Sequence, residues 1–160
     1  MTGVGLAILR VTLAVVFAIH GAHKLFGFWG GPGVGPGGIS RTGAQFAALG
    51  LEPGVFVAVT AGVIELVGGV LLATGFLTRW ASAALVGYLA ITAWKRHVPW
   101  GFFLNWVNDP TRGDGLEFVI VLIAGLTLFI LAGGGEYSID GRRSLSAASR
   151  AAGRARLRNR

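Results

Sequence analysis

The sequence predicts an all-α fold, a four-helix transmembrane bundle with a glycine-rich first loop and a short interfacial helix. The 160-residue chain is 53% hydrophobic and only 13% charged, whereas about a quarter of the residues in a soluble domain are charged. Its mean hydropathy is +0.66. A helix of about 20 apolar residues crosses a bilayer core, and the apolar runs predict spans at about 3–26, 54–77, 79–97 and 116–133.

The first span carries its cationic side chains on one side. At about 100° per residue, Arg10, His20 and Lys24 project from broadly the same side of a helix, among small residues that let another helix approach. Burial of an uncompensated charge is costly, so these groups must meet water or partners. Snorkelling of Arg10 to the nearer interface stays open as an alternative.

Residues 27–38 hold seven glycines and two prolines, too many for a helix or a central strand, and they predict a loop. The segment lacks the Lys-Ser/Thr ending of a phosphate-binding loop. Ser40 is a candidate N-cap for a short helix that runs through Leu49 and ends at Gly50. We expect this helix to be interfacial or re-entrant.

The second span has one ionisable residue, Glu65, near its middle. Steps of three and four residues place Glu65 on a stripe of small residues, which should face the bundle rather than lipid. Measured from the helix ends on the side of the chain's N-terminus, Arg10 and Glu65 lie at depths in the membrane that differ little. Their long side chains can bridge this difference. We therefore predict an intramembrane ion pair between Arg10 and Glu65.

In a bundle of four consecutive spans, spans one and three end on the same side of the membrane as that on which spans two and four begin. The polar residues at these helix ends therefore lie on one side. Pro99 stops the third helix after a basic stretch, and Glu117 opens the fourth span. His23 is expected to be replaceable. The predicted functional cluster at this end comprises His20, Lys24, Lys95, His97 and Glu117.

The tail, residues 141–160, is basic, and we expect it to be disordered in water. Arginines beside a membrane attract anionic lipids and indicate a cytoplasmic side, which places both termini in the cytoplasm. Lipid is a better partner for them than nucleic acid, for which no specific binding is expected. The arginines concerned are Arg142, Arg143, Arg150, Arg154, Arg156, Arg158 and Arg160.

The order of these stretches resembles the DoxX family of small four-helix membrane proteins. The resemblance covers nearly all of residues 6–140 and rests on HGAHKLFGF, the glycine-rich loop, VIELVGGVLLATGFLTRWAS, WKRHVPWGFF, GLEFVIVLIAG and GGGEYSID. The family takes its name from a small subunit of an archaeal thiosulfate:quinone oxidoreductase. The resemblance singles out Arg10, His20, Lys24, Glu65, His97 and Glu117.

This resemblance implies a membrane subunit, not catalytic alone, in the cytoplasmic membrane of a prokaryote. It would anchor or assist a redox or stress-defence enzyme, with a polar site that binds quinone at one membrane face. A structural or assembly protein, a homo-oligomer and a small-solute carrier remain alternatives. The absence of cysteine excludes iron–sulfur ligation and thiol chemistry in this chain. Haem is disfavoured because all three histidines lie near helix ends, and no metal site is predicted.

Overall fold

The structure is a computed structural model and describes residues 2–30 and 35–158 of the chain. The described part is helical, which confirms the predicted all-α class. Residues 31–34 of the predicted glycine-rich loop, and Arg160, lie outside the described residues. The helices are α1 (Thr2–Phe26), α2 (Ile39–Ala48), α3 (Gly54–Thr74), α4 (Thr78–Thr92), α5 (Glu117–Ala132) and α6 (Ile139–Arg158).

Four apolar helices surround the core. α3 packs against α1 and α4, and α5 packs against α4 and α1, so the four close into a ring. Leu13, Leu72, Leu85, Leu126 and Phe129 fill its centre. Two helices, at Gly3–Phe26 and Gly54–Thr74, are long and apolar enough to cross a membrane, and α5 is a shorter apolar helix.

The outer face of the bundle is apolar. Val4, Ile8, Val11, Val15 and Ile19 are all exposed and follow each other at steps of three and four residues, which form one stripe on α1. α3 carries a similar stripe of exposed valines at positions 59, 63, 67 and 70. The bundle thus has apolar side chains both on its outer surface and in its core. This arrangement is expected of helices that contact lipid.

Glycines set the register between α1 and α3. A side chain at Gly69 would lie 2.7 Å from the backbone nitrogen of Ala18, and a side chain at Gly21 would meet the backbone of α3 at Leu66. The two antiparallel backbones therefore touch, as small residues permit. In this register the last turns of α1 lie beside Glu65, and Arg10 lies beside the end of α3.

The helix ends follow local backbone conformation. α3 stops at Thr74, before the predicted end at 77, because Gly75 (φ 68°) and Leu77 (φ 50°) adopt left-handed conformations. α4 continues through a π-helical turn, Ala93–His97, and a 3₁₀ turn, Val98–Trp100. The short helix α2 begins after Gly38, so Ser40 lies within its first turn and is not the N-cap.

The predicted disorder of the tail is wrong for residues 141–158, which form most of α6. Alanine and arginine have high intrinsic helix propensity, and the first turn is fixed to the bundle. The backbone N–H of Asp140 donates to the carbonyl of Gly75, at 3.0 Å, and the Arg143 guanidinium lies 5.0 Å from the centroid of the Phe76 ring. Because the first turn of α6 is held in place, the following residues can extend an existing helix, which is easier than starting a helix in a free segment.

Candidate functional site

A buried ion pair joins α1 to α3. The Lys24 Nζ lies 2.5 Å from the Glu65 Oε2. The side chain of Glu65 is 5% exposed and that of Lys24 is 17% exposed. The carboxylate is therefore almost removed from solvent, and the lysine reaches it along its aliphatic stem from the last turn of α1.

Tyr88 of α4 is the third member of this group. The Lys24 Nζ lies 5.8 Å from the centroid of its ring, and the Tyr88 side chain lies near enough to the Glu65 carboxylate for the two to interact electrostatically. Sequence reasoning missed Tyr88. The available signal was a tyrosine within an apolar helix, because a buried tyrosine hydroxyl usually finds a hydrogen-bond partner.

The predicted Arg10–Glu65 ion pair is wrong. Arg10 is 2% exposed and donates through Nη1 to the carbonyls of Leu72 and Ala73, at 2.5 and 2.8 Å. Its Nη2 donates to the carbonyl of Tyr137 at 2.9 Å. Arg10 thus donates to carbonyls of the last turn of α3, of which that of Leu72 also accepts the N–H of Gly75 at 3.1 Å, while Glu65 pairs with Lys24.

The prediction failed because the N-terminus of α1 and the C-terminus of α3 do not end at the same level. The first turns of α1 extend past the end of α3 and pack on the segment that follows α5, where a side chain at Gly3 would collide with Glu136. Depths measured from each helix's own end therefore placed Arg10 and Glu65 too close together. The antiparallel register separates them by several turns.

Asp140 organises the end of the bundle at which α3 ends and α4 begins. Its carboxylate accepts the N–H of Thr78 at 2.9 Å and the N–H of Leu77 at 3.1 Å, and it accepts the Thr78 hydroxyl at 3.0 Å. These contacts place a negative charge at the N-terminus of α4, where the helix dipole favours one. Arg10 and Asp140 therefore close adjacent helix ends.

His20 and Lys95 of the predicted cluster do not join the ion pair. His20 is exposed, and the side chains of Lys24, His23 and Arg96 lie near enough to interact with it electrostatically. Arg96 also lies near Tyr88. Lys95 is exposed on the π-helical turn, and within the described residues it makes no ion pair.

His97 and Glu117 shape the loop between α4 and α5. The His97 Nδ1 lies 2.8 Å from the carbonyl of Asp114. Glu117 accepts the N–H of Leu104 at 3.2 Å, and its own N–H donates to the carbonyl of Phe102 at 2.8 Å. Of the predicted cluster, only Lys24 therefore joins the internal group with Glu65 and Tyr88. His97 and Glu117 hold a loop, and His20 and Lys95 are exposed.

His23 holds the glycine-rich loop. Its Nδ1 lies 2.9 Å from the carbonyl of Phe28, and its own carbonyl accepts the N–H groups of Gly27 and Gly38 at 3.0 and 2.9 Å. A side chain at Gly37 would collide with the His23 ring and backbone. These contacts contradict the expectation that His23 is freely replaceable.

The Lys24–Glu65–Tyr88 group can hold a proton and donate hydrogen bonds. A lysine ammonium has three donors, of which the Glu65 carboxylate uses one. Within the described residues, no group of three or more His, Cys, Asp or Glu side chains is placed to hold a metal ion. The arrangement therefore offers hydrogen-bond donors and an ionisable carboxyl group that could take part in proton transfer.

Comparisons with known proteins identify the family to which the chain is similar. The family model described as DoxX matches residues 5–98. An uncharacterised protein of Haemophilus influenzae is 31% identical over 137 residues, which cover 86% of this chain and 89% of that protein. An uncharacterised membrane protein of Mycobacterium tuberculosis is 29% identical over 140 residues, covering 85% and 79% respectively. No solved structure matches the chain.

Proposed function

The chain belongs to the DoxX family of membrane proteins, and we propose that it is an integral membrane subunit that assists a membrane-associated oxidoreductase by holding a quinone site. The observation that supports this proposal is the buried Lys24–Glu65–Tyr88 group. Intramembrane ionisable residues mark ligand or proton pathways more often than lipid-facing surface. The oxidoreductase partner follows from the resemblance to the family's name-giving complex.

The chemistry of the group suits a quinone. One quinone carbonyl would accept a hydrogen bond from Lys24, whose ammonium has donors beyond the one used by Glu65. Reduction to the quinol takes up two electrons and two protons. The partner enzyme supplies the electrons, and the Tyr88 hydroxyl and the Lys24 ammonium pass protons in from the side where His20 is exposed.

In this proposal four helices cross the cytoplasmic membrane of a prokaryote, with both termini in the cytoplasm. The arginines of α6 favour that side. A reporter that is active only in the cytoplasm, fused after the full chain, should be active. Activity of a periplasmic reporter at the same position would reverse the orientation.

Purification from native membranes in mild detergent tests the quinone site. Solvent extraction and chromatography should recover quinone with the wild-type protein, and Lys24→Met and Tyr88→Phe should each lose most of it. Lys95→Met is the matched control, because it removes an exposed lysine at the same end of the bundle. Absence of both quinone and a co-purifying redox enzyme from the wild-type protein would refute the proposal.

A structural or assembly role is the second candidate, and the contacts at the inner end favour it. Arg10 and Asp140 tie the ends of α3 and α4 to distant segments, and the Lys24–Glu65 pair fixes register in the same way. Under this proposal, the double variant Lys24→Met/Glu65→Met should fold and still support growth wherever the gene is needed. Loss of growth with normal folded yield would favour the quinone site.

A further inference from the structure

We propose that the first half of α6 binds the phosphate of an anionic phospholipid headgroup through Arg142, Ser146 and Arg150. These three residues are spaced by four positions and therefore lie along one face of the helix. Together with Arg143, Ile139 and Ala147 they line a cavity of about 380 Å³. This inference is independent of the quinone site, which lies at the opposite end of the bundle.

The helix is held where headgroups lie. The contacts of Asp140 with Gly75 and Thr78 fix the first turn of α6 against the turn between α3 and α4, and this turn is the inner end of two apolar helices. Trp80, 76% exposed, stands beside that turn in sequence, and tryptophan is enriched at membrane interfaces. The arginines therefore project at the level of lipid phosphates.

Among the side chains that the structure describes, the arginines of α6 form no salt bridge. After Asp140 the sequence contains seven arginines and no acidic residue, and Asp140 is occupied in capping α4. The salt bridge recorded within the described residues is Lys24–Glu65, at the other end. Like-charged guanidinium groups along one face repel each other, and a bound anion would relieve that repulsion.

Phosphate is the anion that these side chains fit. The guanidinium group presents paired donors that match two phosphate oxygens, and a serine hydroxyl adds a single donor. Arg143 is positioned by the Phe76 ring, so one wall of the cavity is partly ordered before the ligand arrives. Ile139 and Ala147 supply an apolar floor beside acyl chains.

Lipid retention by the full-length protein tests the proposal. The protein is reconstituted with either phosphatidylglycerol or phosphatidylcholine, delipidated in stages, and bound lipid is counted by native mass spectrometry. Wild-type protein should retain phosphatidylglycerol in preference. Arg142→Gln/Arg150→Gln should lower its affinity about tenfold or more, given the attraction of basic residues for anionic lipid. Equal affinities of this variant and the wild type would overturn the proposal.

Two controls separate a built site from diffuse charge and from loss of the helix. Arg79→Gln/Arg154→Gln removes the same charge from exposed positions outside the cavity at the same end of the bundle and should stay within about twofold of the wild type. A tenfold loss in this control would overturn the proposal. Arg142→Lys/Arg150→Lys keeps charge and helix propensity and should bind better than the glutamine pair. Equal losses in the lysine and glutamine pairs would overturn it too.

Inorganic phosphate distinguishes the two sources of this ligand chemistry. At millimolar concentration it should leave bound phosphatidylglycerol in place, because the lipid is also held through its acyl chains. Displacement of the lipid by phosphate at that concentration would overturn the assignment to a lipid and identify a soluble phosphate as the ligand.

Discussion

Removal of one member of the Lys24–Glu65 pair leaves the other charge in an apolar environment. The Glu65 side chain is 5% exposed, so Lys24→Met strands a carboxylate that solvent hardly reaches. Loss of one partner of a buried ion pair costs roughly 3–5 kcal/mol. Since Lys24 itself is 17% exposed, some water can reach the stranded group, and we expect about 3 kcal/mol, at the lower end of that range.

Replacement of both members of the pair by apolar side chains should have little effect on stability. Lys24→Met/Glu65→Met removes both charges and keeps similar side-chain volume, and such replacements are often neutral or stabilising. We therefore expect the double variant to lie within about 1 kcal/mol of the wild type, far from the sum of the two single losses. The resulting coupling energy measures the interaction itself.

Reversible unfolding in mixed micelles is a suitable assay. The fraction of dodecyl sulfate is raised while far-ultraviolet circular dichroism and tryptophan fluorescence report the folded population. A loss of about 3 kcal/mol lowers the folding equilibrium constant by a factor of roughly 150. Lys95→Met controls for removal of an exposed lysine. A wild-type stability in Lys24→Met, or additive losses in the double variant, would refute the reasoning.

Three further predictions concern other parts of the fold. Arg10→Lys should cost about 2 kcal/mol in the same unfolding assay, because a single ammonium cannot reach three carbonyls in two segments; an unchanged midpoint would contradict this. Gly21→Leu should abolish folded yield, because a side chain there meets the α3 backbone, whereas Gly87→Leu points into open space and should be tolerated; equal yields would contradict the assigned register. Hydrogen bonds from the Thr111 hydroxyl and N–H lower the pKa of Asp109, so Thr111→Val should raise it in an NMR titration. Because the folded pKa is lowered, this contact stabilises the loop above the ordinary aspartate pKa and is lost as the pH falls through the lowered value.

The sequence was sufficient for features that depend on local composition. The all-α class, the helix that ends at Phe26 and the short helix α2 follow from apolar run length and from the positions of glycine and proline. The burial of Glu65 followed from its place on a stripe of small residues, and it is confirmed at 4% exposure for the whole residue. These inferences needed no knowledge of how helices are offset.

Features that depend on the offset between helices could not be obtained in this way. The partner of Glu65 is decided by how far α1 slides along α3, and the close contacts at Gly21 and Gly69 settle that distance. Tyr88 enters the group only because α4 presents that turn to α3. The order of the tail likewise depends on a tertiary contact, the attachment of Asp140 to the α3–α4 turn, which composition alone does not reveal.

The unequal helix lengths of the bundle have a consequence for the surrounding bilayer. The 25 residues of α1 extend about 38 Å, and the 16 residues of α5 about 24 Å. In the proposed four-span arrangement, a hydrocarbon layer of about 30 Å is thus too thin for the α1 side of the molecule and too thick for the α5 side. Lipid beside α5 would thin, at a cost of fractions of a kcal/mol per Å, while α1 tilts to fit. That arrangement therefore includes a hydrophobic mismatch, which favours thinner membranes and neighbours that cover the short α5 side.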